Sequence, residues 1–169
     1  MQILSNLFEI KLSKATIATI GTFDGIHIGH QKILNSLARF AKENSLEILG
    51  RIKSTAVEGC DPNFMGLGPI VATKKALERA KLSIKDIDIV ELNEAFASQS
   101  LACIKDLEID INKVNLDGGA IALGHPLGAT GARITGKAAQ LLKRENKKYA
   151  LATQCIGLGM GIATIIEAV

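Results

Sequence analysis

Tryptophan is absent from this 169-residue chain, and aromatic residues make up only 4% of it. A core must therefore be assembled from Ile, Leu, Val and Ala. With one Tyr, no Trp and no basic stripe, a nucleic-acid surface has no support. Cysteine is scarce as well: Cys60, Cys103 and Cys155 are odd in number and form no C-x-x-C pair. That argues against a disulfide framework and fits a reducing compartment. No apolar run reaches the roughly 18 residues that a membrane-spanning helix needs. Asn6 and Glu9 interrupt the first apolar stretch, which lacks a signal-peptide layout. Charge of either sign is unremarkable, at a net +3 with 22% charged residues, and selects no class of partner. What the chain does have is 47% hydrophobic content and sixteen glycines, enough for a real core with several special turns. The expectation is a soluble, cytoplasmic α/β protein.

Taken in order, Ala15 to Ile20 reads as a short buried strand, and a helix follows with Ile33, Leu34, Leu37, Phe40 and Ala41 on one face. Between them, Gly21-Thr22-Phe23-Asp24-Gly25-Ile26-His27-Ile28-Gly29-His30 is a strand–turn–helix design in which helix N–H groups and two imidazoles can face a phosphate. The character changes near Ser45 to Glu47. Ile48 to Val57 reads as a one-sided strand, Gly59 to Asn63 as a turn, and Gly68-Pro69 opens a helix running to Ala80. Ile87 to Leu92 alternates like a strand. It ends at Asn93, placed to cap a helix from Glu94 to about Asp106 whose buried face includes Cys103. The same strand end also makes Asn93 a site candidate, because polar groups converge there in α/β folds.

Val114 to Arg133 is the stretch around which the rest is organised. Five glycines precede or surround one His-Pro pair, and the segment then turns amphipathic. Pro126 suits the first position of a helix, which would leave His125 at its positive N-terminus and favour the neutral imidazole. Such a histidine can accept a nucleophile's proton or donate to an oxyanion, although spacing alone favours a glycine-rich turn whose histidine merely caps or hydrogen-bonds locally. Leu127, Ile134, Ala138 and Leu141 fall on one side of the following helix, and Gly128, Gly131 and Gly136 imply a close neighbour along it. Tyr149 to Thr153 and Met160 to Ala168 read as two strands joined by a glycine-rich turn. Cys155 at its edge can exchange a proton or attack an acyl carbon if its pKa is lowered, or simply be buried. The run Cys155 to Gly161 is not a dinucleotide fingerprint, since Ile162 replaces its last glycine and a strand follows. Gly119 to Gly124 lacks the lysine of a phosphate-binding P-loop.

The Gly21 to His30 segment resembles the start of bacterial FAD synthetases in the nucleotidylyltransferase superfamily. The resemblance covers about the first 45 residues, short of a nucleotide-binding domain of ordinary size. It implies His27 and His30 as nucleotide-binding residues within a Rossmann-like strand–helix fragment.

Asn93-Glu94-Ala95-Phe96-Ala97, Gly124-His125-Pro126 and Cys155-Ile156-Gly157-Leu158-Gly159 form an ordered set that closely resembles the C-terminal domain of thiolases, the acetyl-CoA acetyltransferase family. Ala56 to Pro62, Met65 to Pro69 and Gly118 to Leu123 agree with it. The resemblance implies that His125 activates the nucleophile and helps bind a thioester oxyanion, and that Asn93 holds a water completing that hole. Cys155 would be the general acid/base, the Gly157 N–H would serve a second oxyanion hole, and Ala95 and Phe96 would line the pantetheine channel. An acyl-CoA thioester would be the substrate, with no bound cofactor and no metal.

Two departures accompany the resemblance. Thiolases are twice-repeated folds, and the half bearing the acyl-accepting cysteine has no counterpart in these residues; Cys60 lies on a loop that matches the C-terminal half. Leu158 stands where the family usually has glycine. The expected organisation is a nucleotidylyltransferase-like fragment at 1–46 and a thiolase C-terminal domain at 47–169, a mixed sheet in the order βαβα-α-ββ. Four readings follow: a truncated acyltransferase domain inactive alone, a half-enzyme pairing with a thiolase N-terminal half, a remnant FMN adenylyltransferase, or a non-catalytic interaction or homo-oligomerisation module.

Overall fold

The computed structural model describes residues 28–169 of the chain. The chain divides into two units, Met1–Glu47 and Ile48–Val169. In the first, the described residues form helix α1, Ile28–Glu43. His27 and the expected strand at Ala15 to Ile20 lie outside the described residues.

The second unit runs β1 (Arg51–Gly59), α2 (Gly68–Ala80), β2 (Ile89–Leu92), α3 (Ala97–Asp106), α4 (Ala120–Leu123), α5 (Thr130–Arg144), β3 (Tyr149–Ile156) and β4 (Met160–Glu167). The strands make one sheet in the order β1-β4-β3-β2. β1 and β3 flank β4 antiparallel, whereas β2 runs parallel to β3. The sheet is therefore mixed, as the sequence implies. The parallel pair has a crossover between its strands, and α3, α4 and α5 all belong to it.

Alternation along the strands builds two cores. On one face Val90, Leu92, Leu151, Ala163 and Ile165 pack with Ala72, Ala76 and Leu77 of α2 and with Cys103 of α3. On the other, Ile89, Ala150, Ala152 and Ile166 meet Ile134, Ala138, Leu141 and Leu142 of α5. The α5 side chains recur at helical spacing, and burying each Leu or Ile contributes on the order of 1.5–3 kcal/mol. α2 has Pro69 in its first turn and is capped at its end by Lys81, whose left-handed backbone (φ 56°) lets its N–H reach the Glu78 and Leu77 carbonyls. β2 lies at the sheet edge yet is buried throughout, packed into both cores, and Val114 bridges Val90 on its outer side.

Two expectations for α5 need correction. Leu127 is not on its buried face; it precedes the helix and is 86% exposed. Gly131 does have a close neighbour, Gln154, but Gly128 and Gly136 face open space. One face of α5 is packed on the sheet, so the helix does not lie between two layers among the described residues.

Candidate active site

The active-site candidates come from loops at one end of the parallel pair. β2 continues one residue beyond its last strand position, where the Asn93 N–H donates to the Thr153 carbonyl at 3.0 Å. Asn93 is therefore a strand extension, fully buried, and does not cap α3. That helix begins at Ala97 with Phe96 in the capping position, three residues later than the sequence suggests. Freed from capping, the Asn93 side chain faces His125 instead: its Nδ2 lies 3.2 Å from His125 Nε2.

His125 also departs from expectation. α5 begins at Thr130, so His125 sits in the loop between α4 and α5 and not at a helix N-terminus. The Pro126 carbonyl accepts the N–H groups of Ala129 and Thr130, which winds this loop into the helix. Its ring is oriented by side chains. Thr130 Oγ1 donates to the Pro126 carbonyl at 3.0 Å and so offers a lone pair to His125 Nδ1, at 2.7 Å. Nδ1 then carries the ring proton, and Nε2 is left as the acceptor of the Asn93 amide N–H. Asn93 Oδ1 is buried without a hydrogen-bond partner among the described residues. Such an acceptor costs about 1–3 kcal/mol, which an incoming donor relieves.

Cys155 stands near the end of β3, opposite Gly161 of β4, and is buried. Burial pushes its thiol pKa up. That direction is opposite to the lowered pKa that activates a cysteine for nucleophilic attack. The Cys103 thiol is likewise raised by burial, and its place in the α2–α3 core is the structural one expected of it. Gly157 opens the β3–β4 turn, with nothing near its Cα on the side where a Cβ would stand. Ala95 is half-buried and Phe96 is 61% exposed in the segment between β2 and α3. His30 belongs to the backbone of α1. The fold thus brings Asn93 and His125 into contact and sets Cys155 at the same end of the parallel strands, without a hydrogen bond to either among the described residues. No group of three or more His, Cys, Asp or Glu among them is arranged to hold a metal.

Residue reasoning missed Thr130, which orients the imidazole. Its position five residues beyond His125, at the first turn of an amphipathic helix, was the available signal. It also missed Glu91 of β2, which is 1% exposed with neither carboxylate oxygen hydrogen-bonded among the described residues. A glutamate between Val90 and Leu92 in an alternating strand reads as solvent-facing, and nothing local reveals that α5 covers it.

The family described as thiolase, C-terminal domain, matches residues 46–168. The chain belongs to the thiolase family. A second family, FAD synthetase, matches residues 9–51. Among similar proteins, a 3-ketoacyl-CoA thiolase of Vibrio parahaemolyticus is 55% identical over 152 residues, covering 88% of this chain and 39% of that protein. One from Marinomonas is 48% identical over 172 residues, covering 100% of this chain and 44% of its relative. A crystal structure of human mitochondrial 3-ketoacyl-CoA thiolase in complex with CoA superposes with a TM-score of 0.73 at 50% identity, over 78% of this chain and 33% of that one. The thiolase-like fold is therefore shared. The chain spans about two fifths of the length of the curated relatives it matches. No helix among the described residues is long and apolar enough to cross a membrane.

Proposed function

We propose that this thiolase-family chain supplies one half of an acyltransferase site that acts on acyl-CoA thioesters, in thiolysis or Claisen condensation, with a nucleophilic thiol from outside these 169 residues. The observation that carries the reading is the relay Thr130–His125–Asn93, with Nδ1 held by a hydroxyl and Nε2 at 3.2 Å from an amide. A neutral Nε2 takes the proton of the incoming nucleophile. Once charged, its N–H donates to the thioester oxygen, and Asn93 completes that hole by holding a water. In thiolysis the attacked carbonyl's C–C bond breaks, and the departing enolate takes a proton from the Cys155 thiol. The CoA thiol returns that proton to Cys155 as it attacks the acyl-enzyme. The Gly157 N–H serves a second oxyanion hole, at the oxygen of the carbonyl that the nucleophile attacks, and the nucleophilic thiolate released when CoA takes the acyl group recovers its proton from His125. Ala95 and Phe96 line the path of the pantetheine arm, and CoA is substrate, with no bound cofactor.

Alone, the chain has little or no turnover, because Cys155 is the acid/base and not the acyl acceptor. The loops bearing Phe96, Leu127 and Leu158 each present an apolar side chain at 61%, 86% and 89% exposure, and Ile121 and Leu123 add to them. With the open space at Gly136 of α5, these support docking of a thiolase N-terminal half or a second copy. Three free cysteines suit a reducing, cytoplasmic setting.

Thiolysis of acetoacetyl-CoA, assayed with the chain alone and with a thiolase N-terminal half added in trans, tests this reading. Turnover only in the mixture, lost in His125→Ala, is expected. No turnover in a mixture that demonstrably forms a complex refutes it and leaves a non-catalytic interaction module. An acetyl adduct on Cys155 of the chain alone, seen by intact mass after acetyl-CoA, refutes the acid/base assignment. A second reading, an FMN adenylyltransferase-like remnant at 1–46 beside the thiolase domain at 47–169, is favoured by the match at 9–51. ATP or FMN binding that is lost in His27→Ala or His30→Ala would support it.

A further inference from the structure

We propose that Glu94 is a positioning residue that sets the Asn93–His125 pair, and that residue 119 is glycine because the Glu94 carboxylate occupies the place of its side chain. The Asn115 side chain pairs with the backbone of Leu92 in both directions, accepting from its N–H and donating to its carbonyl, each at 2.9 Å. It serves as an extra length of strand beside β2. The Asn115 N–H also donates to the Val90 carbonyl at 2.8 Å, and its backbone takes the left-handed conformation (φ 48°) that asparagine tolerates. The second Nδ2 proton of Asn115 goes to Glu94 Oε1 at 2.7 Å, and Glu94 Oε2 accepts from the Ile121 N–H, in the first turn of α4, at 2.9 Å.

One carboxylate therefore ties the residue next to Asn93 to the short helix that delivers His125. Its seat is the backbone of Gly119. A Cβ there would overlap the carboxyl carbon and both oxygens of Glu94. Gly119 has an ordinary extended φ of −109°, so space and not backbone conformation requires glycine.

The inference rests on the proposed roles of Asn93 and His125, but its test needs no CoA compound. Imidazole 15N spectra of the full chain, with the His125 signals assigned through His125→Gln, report tautomer and hydrogen bonding at the ring. In the unaltered chain the Nδ1–H form dominates. Glu94→Ala and Gly119→Ala each lose that dominance, the isosteric Glu94→Gln loses it in part, and Gly119→Ala adds nothing in the Glu94→Ala background. Amide dispersion of Glu94→Gln confirms that the fold survives. Unchanged His125 signals in folded Glu94→Gln and Glu94→Ala overturn the proposal. An equal effect of Gly119→Ala in both backgrounds does so too, since the cradle would then not act through the carboxylate. A chain lacking thiolase chemistry but showing these shifts would overturn the functional reading alone.

Discussion

This chain should lose stability between pH 5 and pH 8, and Glu91→Gln should abolish that loss. Glu91 is 1% exposed on β2, and neither carboxylate oxygen has a hydrogen-bond partner among the described residues. Burial is the main cause that pushes its pKa up to about 7. Arg133 and Lys137 of α5 pull in the other direction without overcoming it, and Asp117 and Glu94 add to the rise. A folded pKa above the ordinary 4.5 means that the folded state binds more protons than the unfolded chain between those values. The associated stability is present in full below pH 4.5 and is lost as pH rises through 7. Each pKa unit is worth about 1.4 kcal/mol, so the loss approaches about 3 kcal/mol at high pH.

Urea unfolding of the chain and of Glu91→Gln at pH 5 and pH 8 measures this directly. A loss of that size moves the midpoint by on the order of 1–2 M for a domain of this size. The unaltered chain should show that fall and Glu91→Gln should not, becoming the more stable of the two at pH 8. The window avoids Glu167, which Arg51 holds at about 2 and whose stabilisation is lost only below the ordinary carboxylate range. The same midpoint change in both proteins would refute the reasoning. It would mean that Glu91 is ionised and satisfied by Arg133, and Glu91→Gln would then destabilise by leaving the guanidinium buried without its charge partner.

Leu158→Gly should raise stability by up to about 1.5 kcal/mol, seen as a higher melting temperature: relief of the left-handed backbone is worth about 1–2 kcal/mol, and glycine's extra unfolded-state freedom takes back about 0.4–1. Leu158 holds φ 71° and is 89% exposed, so little packing is lost with its side chain, and a lower melting temperature would contradict the account. Timed alkylation with iodoacetamide should modify half-exposed Cys60 at least about tenfold faster than Cys155 or Cys103, whose thiols burial covers and raises. Peptide mapping that finds Cys155 first would return it to the list of nucleophiles.

The fold was legible wherever side chains repeat with a period. Ile134, Ala138 and Leu141 mark the buried face of α5, and the end strands read correctly because each alternates against two cores. The site was legible as three loops but not as a geometry. Asn93 followed by Glu94 has the local form of a helix cap, and only the pairing of its N–H with Thr153 shows that β3 competes for the segment and wins. His125-Pro126 has the local form of a helix start, yet residues 126–129 form a turn closed by the Ala129 N–H on the Pro126 carbonyl, and α5 begins one turn later at Thr130. In both cases a partner distant in space or one turn onward decided between conformations that local propensity leaves nearly equal. The loop before α5 leaves the His125 ring beside the first residue of that helix, where Thr130 Oγ1 meets Nδ1 at 2.7 Å. The features that local rules misjudge are the ones that set Asn93 and Thr130 against the two ring nitrogens of His125.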